Sequence, residues 1–361
     1  MSSIAQASSP PVSAALNWRN RLVTLLPLGF TAWLALQLSE HPAIAKMGLS
    51  ALTLAMFAGM FAGNTLPRDW LTPLAPGMQV ARHHMLRLGV GLYGLRLTFD
   101  AIVALGLAGV LIPLAMLVST LLLGTWIGVR LLGLERREAL VVSAGSAVCG
   151  AAAAIAMASV VKTDNRQTAV AVATVVLFGT VGMVLYPYLF DLAVGHMHFA
   201  VSERTFGIFT GATLHEVAQV IASGKMVSDA TADAAVVAKM VRVLALGPLL
   251  LIMALWTRAS DREQGLDTGG AGWSGLLRSV PWFALGFVAV MAINSAGMVP
   301  PAWKPALITL DNWLLATAML AIGLQTRLID LVRTGRAPMI LAGILFVFLI
   351  AGGAALCWFT A

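Results

Sequence analysis

Residues 101–129, AIVALGLAGVLIPLAMLVSTLLLGTWIGV, form an apolar run without a charged side chain. A helix needs about 20 such residues to cross a hydrocarbon core of roughly 30 Å. The whole chain of 361 residues has this character, because 59% of it is hydrophobic, only 11% is charged and its mean hydropathy is +0.87. Soluble domains carry about 25% charged residues. The sequence therefore excludes a soluble globular fold and predicts an all-α polytopic membrane protein.

Ten further apolar segments bring the expected transmembrane helices to eleven. Three of the eleven, 85–99, 206–223 and 232–256, are short or contain ionisable residues. The polar N-terminal residues 1–20 are expected to form a disordered tail, and residues 21–361 a single transmembrane domain. The expected spans are 22–39, 47–66, 85–99, 101–129, 139–161, 167–190, 206–223, 232–256, 280–299, 306–326 and 337–361.

The distribution of Lys and Arg gives the expected orientation. With a cytoplasmic N-terminus and eleven crossings, fifteen Lys and Arg residues fall in inner segments and five in outer loops. Cytoplasmic loops of membrane proteins are enriched in these residues. The sequence thus predicts a cytoplasmic N-terminus, a periplasmic C-terminus, and a flexible cytoplasmic loop over residues 257–279.

The same distribution explains the formal charge of +7, so that no nucleic-acid partner is expected. The two cysteines, Cys149 and Cys357, lie in apolar segments and predict packing roles rather than a disulfide or a thiolate metal site. No cofactor is expected. The lipid bilayer is the one certain partner, and a homodimer is left open.

Two distant parts of the chain share a pattern of small and polar residues. Asn64 and Asn294 each precede a proline at the end of an apolar span. The segments 94–97 and 323–326 both begin with Gly-Leu, and each has a further Asp and Gly downstream, at Asp100 and Gly106 and at Asp330 and Gly335. Segments 47–131 and 280–361 would be inverted copies in the eleven-span arrangement, which is typical of secondary transporters.

Between these copies lie two central segments, 139–161 and 205–256. Residues 143–159, SAGSAVCGAAAAIAMAS, consist mostly of small residues, which let helices pack closely. They indicate either a tightly packed helix or a broken one, with Gly150 as the expected break. Irregular backbone is tolerated at membrane depth only inside protein or beside water.

Residues 205–220 contain a second expected helix start at membrane depth. Thr213 and Glu216 have capping-box spacing, which predicts a helix beginning just after Gly211. Such a start carries a positive partial charge and free N–H groups, and so would attract an anion. Asn64 and Asn294 either bond across helices or contact the same substrate.

His215 and Glu216 lie beside this start. A zinc metalloprotease helix would need a second histidine at position 219, where this chain has Gln219. His215 is therefore either a core histidine or, with Glu216 and Gln219, part of a coupling path for protons or sodium ions. Ionisable residues within spans usually serve such a path, because their burial is costly.

Lys239 and Arg242 are three residues apart on one helix face within segment 232–256. They either extend to the headgroup region or form a buried cationic site. Asp229 and Asp233 mark the polar end of this segment, which favours a buried pair that neutralises a bound anion.

Several of these motifs together resemble a bacterial inner-membrane family, the YeiH-like sulfate exporters. They are Gly63-Asn64 with Leu66-Pro67, residues 91–99, 149–153, 211–220, 239–243 and 321–324. The resemblance implies a transporter related to the inverted-repeat sodium/proton antiporters and bile-acid transporters. Several members have Asp-Thr-Ser where this chain has Glu216-Val217-Ala218, so the acid is retained and the two hydroxyls are not.

The expected function is secondary transport of a small anion, with sulfate or an organosulfonate as the expected substrate, by alternating access. The expected site combines Lys239, Arg242, Thr213, Gly211 and Gly150. No phosphate-binding loop of the GxxxxGK[ST] type is present, so an ion or substrate gradient would supply the energy. The alternatives are an intramembrane enzyme that uses His215 and Glu216, and a membrane receptor that binds without transport.

Overall fold

The computed structural model describes residues 18–41, 44, 50–196, 201–263, 282–326 and 335–360. Most of the expected tail, most of the expected loop 257–279, and Asp330 lie outside these residues. Helices account for the regular structure of the described residues. They are α1 (Trp18–Ser39), α2 (Ala51–Thr65), α3 (Arg68–Leu71), α4 (Ala75–Val80), α5 (Leu86–Leu92), α6 (Phe99–Leu105), α7 (Ala108–Arg130), α8 (Arg136–Ala147), α9 (Ala151–Val161), α10 (Asn165–Asp191), α11 (Glu203–Thr213), α12 (Val217–Lys225), α13 (Asp229–Glu263), α14 (Trp282–Ser295), α15 (Lys304–Gln325) and α16 (Arg336–Thr360).

Six helices within the described residues are long and apolar enough to cross a membrane. They lie in α1, α7, the α10 region, α13, α15 and α16. The apolar helices α2, α9 and the 285–295 part of α14 are shorter. Between α3 and α6, the short helices are joined by 3-10 turns and a π-helical turn (Ala81–Met85) into one nearly continuous helical stretch. The membrane character predicted from composition is therefore present in the fold.

The apolar run 101–129 is not one helix. Helix α6 ends at Leu105, and Gly106 adopts a φ of +64° before α7 begins at Ala108. A positive φ interrupts a right-handed helix and is readily adopted only by glycine. The charge-free segment is thus a short helix followed by a 23-residue helix.

Helices α8 and α9 form a re-entrant hairpin, called hairpin A (residues 136–161). A Cβ built on Gly145 would lie 3.3 Å from the Cβ of Ala154, so the two helices run side by side in opposite directions. At their open end, Gln167 Nε2 donates to Glu135 Oε2 at 3.0 Å. Both ends of hairpin A therefore lie on one side of the protein, called the Arg136 side.

Helices α11 and α12 form a second re-entrant hairpin, called hairpin B (residues 203–225). Ser228 Oγ, which follows α12, donates to the carboxylate of Glu203 at 2.7 Å, at the start of α11. Helix α13 begins there and continues past Trp256, whose ring centroid lies 4.0 Å from the guanidinium carbon of Arg136. Hairpin B therefore opens on the opposite side, called the Glu203 side.

These contacts differ from what is expected for two of the eleven spans. Segments 139–161 and 206–223 have the apolar character of spans, but each enters the protein and returns to the side from which it came. The two tips, residues 148–150 and 214–216, meet in the interior beside α13. Such irregular backbone is stable at this depth because it is enclosed by protein.

The two segments with the shared Gly-Leu pattern pack in matching ways. A Cβ on Gly94 would lie 2.6 Å from the carbonyl oxygen of Phe287 in α14, and a Cβ on Gly323 would overlap the carbonyl oxygen of Met56 in α2. Asn64 donates to the Thr326 carbonyl, and Asn294 donates to the Leu97 carbonyl, at 2.8 and 2.9 Å. Each segment therefore packs against the helix that precedes the other segment.

Candidate functional site

The tip of hairpin A breaks at Gly150, which is the second of the two alternatives that the small-residue segment left open. Helix α8 ends at Ala147, and α9 begins at Ala151 after Gly150 with a φ of +71°. The break leaves the last carbonyls of α8 and the first N–H groups of α9 without intrahelical partners. The tip thus presents a negative helix end and a positive helix start within a few residues.

The tip of hairpin B differs from the sequence expectation. Helix α11 continues through Gly211 to Thr213, whose hydroxyl donates to the Phe209 carbonyl at 2.7 Å. The new helix begins at Val217, with Glu216 as its N-cap in a capping box with Gln219. The Gln219 Oε1 accepts from the Glu216 backbone N at 3.2 Å. The predicted start after Gly211 is therefore wrong, and Glu216 rather than Thr213 is the capping residue.

Lys239 and Arg242 are both fully buried, so they do not extend to the headgroup region. The Lys239 ammonium donates to the carbonyls of Val148 and Leu214, both at 2.6 Å. One carbonyl belongs to each hairpin tip. Lys239 thus joins the two tips at their negative helix ends.

Arg242 binds the same two helix ends. Its guanidinium donates to the carbonyls of Ser146 and Ala147 at the end of α8, with nitrogen–oxygen distances of 2.5 to 2.9 Å. It also donates to Leu214 at 3.0 Å and to Gly211 at 3.4 Å in hairpin B. A guanidinium offers five N–H donors in a planar fork, which suits a group that bonds several carbonyls.

These contacts give the cation pair a different role from the expected one. Their hydrogen bonds go to backbone carbonyls, and neither side chain lines the large cavity described below. The pair neutralises the C-terminal ends of α8 and α11. Lys239 and Arg242 are therefore buried cations, as favoured from the sequence, but they lie behind the tips.

The positive helix starts meet at one carboxylate. Glu216 caps α12, and its Oε1 accepts from the backbone N of Ala151, the first residue of α9, at 3.4 Å. A Cβ on Gly150 would lie 2.5 Å from the Cγ of Glu216. Glycine at position 150 is thus needed twice, for its positive φ and for the approach of this carboxylate.

Glu216 lines the inner end of a cavity of about 770 Å³. The tip residues Cys149, Ala151 and Val217 line it beside Glu216. The cavity extends toward the Arg136 side, where Ser159 near the end of α9 lines it. Basic residues of the 81–92 segment and an apolar wall from α14 complete the lining, with Arg82, His83, Arg87, Trp282, Phe283 and Val290. The site is a mainly apolar cavity with basic residues toward its mouth and two helix starts at its end.

The remaining predicted site residues do not reach this cavity. Asn64 and Asn294 bond helix ends, as described above, and are absent from the lining found among the described residues. Thr213 is fully buried within hairpin B, and His215 is 1% exposed, with its ring centroid 6.3 Å from that of Phe346. Among the predicted site residues, Glu216 therefore lines the cavity and the others do not.

Sequence reasoning missed Arg82, His83 and Arg87 as site residues. Arg82 and Arg87 enter the sequence analysis only as part of the positive charge of the inner segments, and His83 does not enter it. Their clustering before a glycine-rich segment was a usable signal, but only the fold shows that they face the hairpin tips. Within the described residues, no group of three His, Cys, Asp or Glu side chains could hold a metal ion.

Comparison with known proteins supports the expected resemblance. The model of the family described as Conserved hypothetical protein 698 matches residues 22–342. This chain belongs to that family.

Relatives from several bacteria match most of this chain. The UPF0324 membrane protein RSc1111 of Ralstonia nicotianae is 48% identical over 91% of this chain and 87% of its own length. Protein PA5383 of Pseudomonas aeruginosa is 44% identical over 89% of each chain, and the inner membrane protein YeiH of Escherichia coli 42% over 87% of each. Their names give a membrane location and no substrate. No solved structure matches this chain.

Proposed function

We propose that this protein is a secondary transporter of a small anion, with sulfate or an organosulfonate as the substrate, in the bacterial inner membrane. The observation that carries the proposal is the cavity that ends at the starts of α9 and α12. Helix starts attract anions, and transporters often form midplane sites from broken helices. The inner-membrane location follows the names of the YeiH relatives.

The cavity's shape and wall charges fit a small anion. Arg82 and Arg87 line the wall toward the mouth, and opposite charges raise the local concentration of an approaching ligand. The apolar wall formed by Phe283 and Val290 would fit the carbon chain of an organosulfonate. The carrier would take its energy from a proton, sodium or substrate gradient.

Alternating access requires the opposite side to be closed when the cavity is open. On the Glu203 side, the Tyr93 hydroxyl donates to Asp233 at 3.0 Å. Arg96 donates to Asp311 at 3.1 Å, and its guanidinium carbon lies 5.0 Å from the centroid of the Tyr93 ring. These contacts join helix α13 to the 93–96 turn and α15. We assign this arrangement to the state that is open on the Arg136 side.

The hairpins change the expected number of crossings but not the side on which each terminus of the chain lies. Nine of the described helical segments would cross, and the two hairpins would enter from opposite sides. Lys162 and Arg166 then lie on the inner side and Arg204 on the outer side. The inner segments would hold sixteen Lys and Arg residues and the outer segments four, compared with fifteen and five for eleven crossings. We therefore place the Arg136 side and the N-terminus in the cytoplasm, and the C-terminus in the periplasm.

Transport by the purified protein in liposomes tests the function. Labelled sulfate and methanesulfonate should accumulate in response to an imposed gradient and be recovered unchanged. Recovery of a chemically altered product would favour an intramembrane enzyme instead. Saturable binding without flux would favour a receptor, and the absence of both would contradict the anion assignment.

A further inference from the structure

The place at which an anion would be most stable is already occupied by a side chain of the protein. Glu216 caps α12, and its carboxylate also accepts from the first backbone N–H of α9. Both helices are longer than two turns, so both starts carry a positive partial charge. The carboxylate lies at the inner end of the cavity, in contact with the space that a substrate would enter.

We propose that Glu216 is a built-in competitor of the substrate anion. When it is ionised, its carboxylate holds the two helix starts; when it takes up a proton, it releases the Ala151 N–H to the substrate. Each bound anion would then require one proton, taken from solution on the Arg136 side. This inference rests on the proposed function and assigns the coupling step to one residue.

Two features of the site favour exchange over permanent capping. The Ala151–Glu216 bond is long, at 3.4 Å, whereas charge-assisted bonds are usually about 2.7 to 2.9 Å. The Nε2 of Gln219 is buried beside the same helix start and has no hydrogen-bond partner among the described residues. A protonated carboxyl gains an O–H donor. The protonated site would therefore offer an anion in the cavity two donors, the Ala151 N–H and the Glu216 O–H.

Other ionisable groups near Glu216 belong to several elements. Cys149 comes from hairpin A, Lys239 from α13, and His215 precedes Glu216 in hairpin B. Arg82, His83 and Arg87 line the same cavity from the 81–92 segment. Protonation of a histidine would also strengthen anion binding at low pH. The test therefore has to remove the Glu216 charge alone.

Glu216→Gln removes this charge and retains a side chain that can cap. We would measure sulfate and methanesulfonate affinity of the purified full-length protein between pH 5.5 and 8.5 by titration calorimetry. The parent's affinity should rise by up to about tenfold for each pH unit lowered, as for binding linked to one proton. Glu216→Gln should bind at least about tenfold more tightly than the parent at pH 8 and show a flat profile. If Glu216 instead contributed to anion binding, Glu216→Gln would bind the anion more weakly than the parent.

Two controls complete the experiment. Glu135→Gln makes the same change outside the cavity and should keep the parent's profile. Calorimetry of the parent in buffers of different ionisation enthalpy gives the protons taken up for each anion bound. This number should approach one above neutral pH, and it needs no variant that might fold poorly.

The outcomes separate this inference from the proposed function. Proton uptake near zero, or a Glu216→Gln protein that binds no more tightly than the parent or keeps its pH profile, would overturn the competitor role and leave an anion carrier intact. If neither probe binds parent or variants at any pH, the anion carrier itself is refuted, and the competitor role with it.

Discussion

Arg242→Gln provides the sharpest test of how the two hairpin tips are held together. The guanidinium donates to four carbonyls, those of Ser146, Ala147, Gly211 and Leu214, and is fully buried. A hydrogen bond to a charged group contributes about 1.5 to 3 kcal/mol, and glutamine, which is shorter and neutral, can replace at most a minority of these bonds. Removing one member of a buried charged arrangement costs about 3 to 5 kcal/mol. We therefore expect a loss of about 4 kcal/mol of folding free energy.

The loss can be converted into a melting shift. With an unfolding entropy of roughly 2 cal/mol/K per residue, a chain of 361 residues should lose about 5 °C in its melting midpoint. The assay is thermal unfolding of the detergent-purified protein, with parent and variant heated at the same rate because membrane proteins often unfold irreversibly. The affinity of Arg242→Gln for sulfate should fall only to the extent that the loss of the guanidinium displaces the two hairpin tips.

Arg87→Gln is the matched control. The same substitution is made at an exposed arginine of the cavity wall, so it should leave the melting midpoint unchanged and weaken the binding of sulfate. If Arg242→Gln melted like the parent but no longer bound sulfate, the reasoning would be refuted. The cation pair would then contact the substrate, as the sequence alone suggested.

Three further predictions follow from the packing of the described residues. Arg166→Cys should react with membrane-impermeant thiol reagents from the cytoplasmic side and Arg204→Cys from the periplasmic side, because each hairpin returns to the side from which it enters. The reverse pattern would support eleven crossings. Tyr93→Phe removes a hydrogen bond that contributes about 1 kcal/mol to closing the periplasmic side. Thiol labelling of the cavity residue Cys149 from that side should therefore become about fivefold faster, measured in a Cys357→Ser background. An unchanged labelling rate would show that Tyr93 does not help to close that side. Gly323→Ala should cost about 1 to 3 kcal/mol of stability because the new Cβ would overlap the Met56 carbonyl. Gly247→Ala, with open space around it, should be neutral or slightly stabilising. Equal melting midpoints for the two variants would contradict the close α2–α15 contact.

Much of this architecture follows from composition and local chemistry. A chain with so few charges can satisfy its backbone in a membrane only through helices or a closed barrel, and helix-length apolar runs select helices. The position of the break at Gly150 could also be named from the sequence, but whether this small-residue segment breaks at all was left open between two alternatives. The burial of Lys239 and Arg242 followed from their depth beyond Asp229 and Asp233.

The direction of the chain after each break could not be predicted. An apolar segment has the same hydropathy whether its second half continues across the membrane or returns, so hydropathy alone predicts crossings for segments 139–161 and 206–223. The contacts between Glu135 and Gln167, and between Glu203 and Ser228, decide that both return. These residues are 32 and 25 positions apart, and their meeting depends on how whole helices pack.

The partners of the buried charges were likewise decided by the tertiary structure. The sequence gives the cost of burying Lys239, Arg242 and Glu216, but it does not say which helix ends compensate them. Folding brings two carbonyl ends to the cations and two N–H ends to the carboxylate. Because helix ends carry opposite partial charges, the packing of the hairpins separates the structural cations from the carboxylate that faces the cavity.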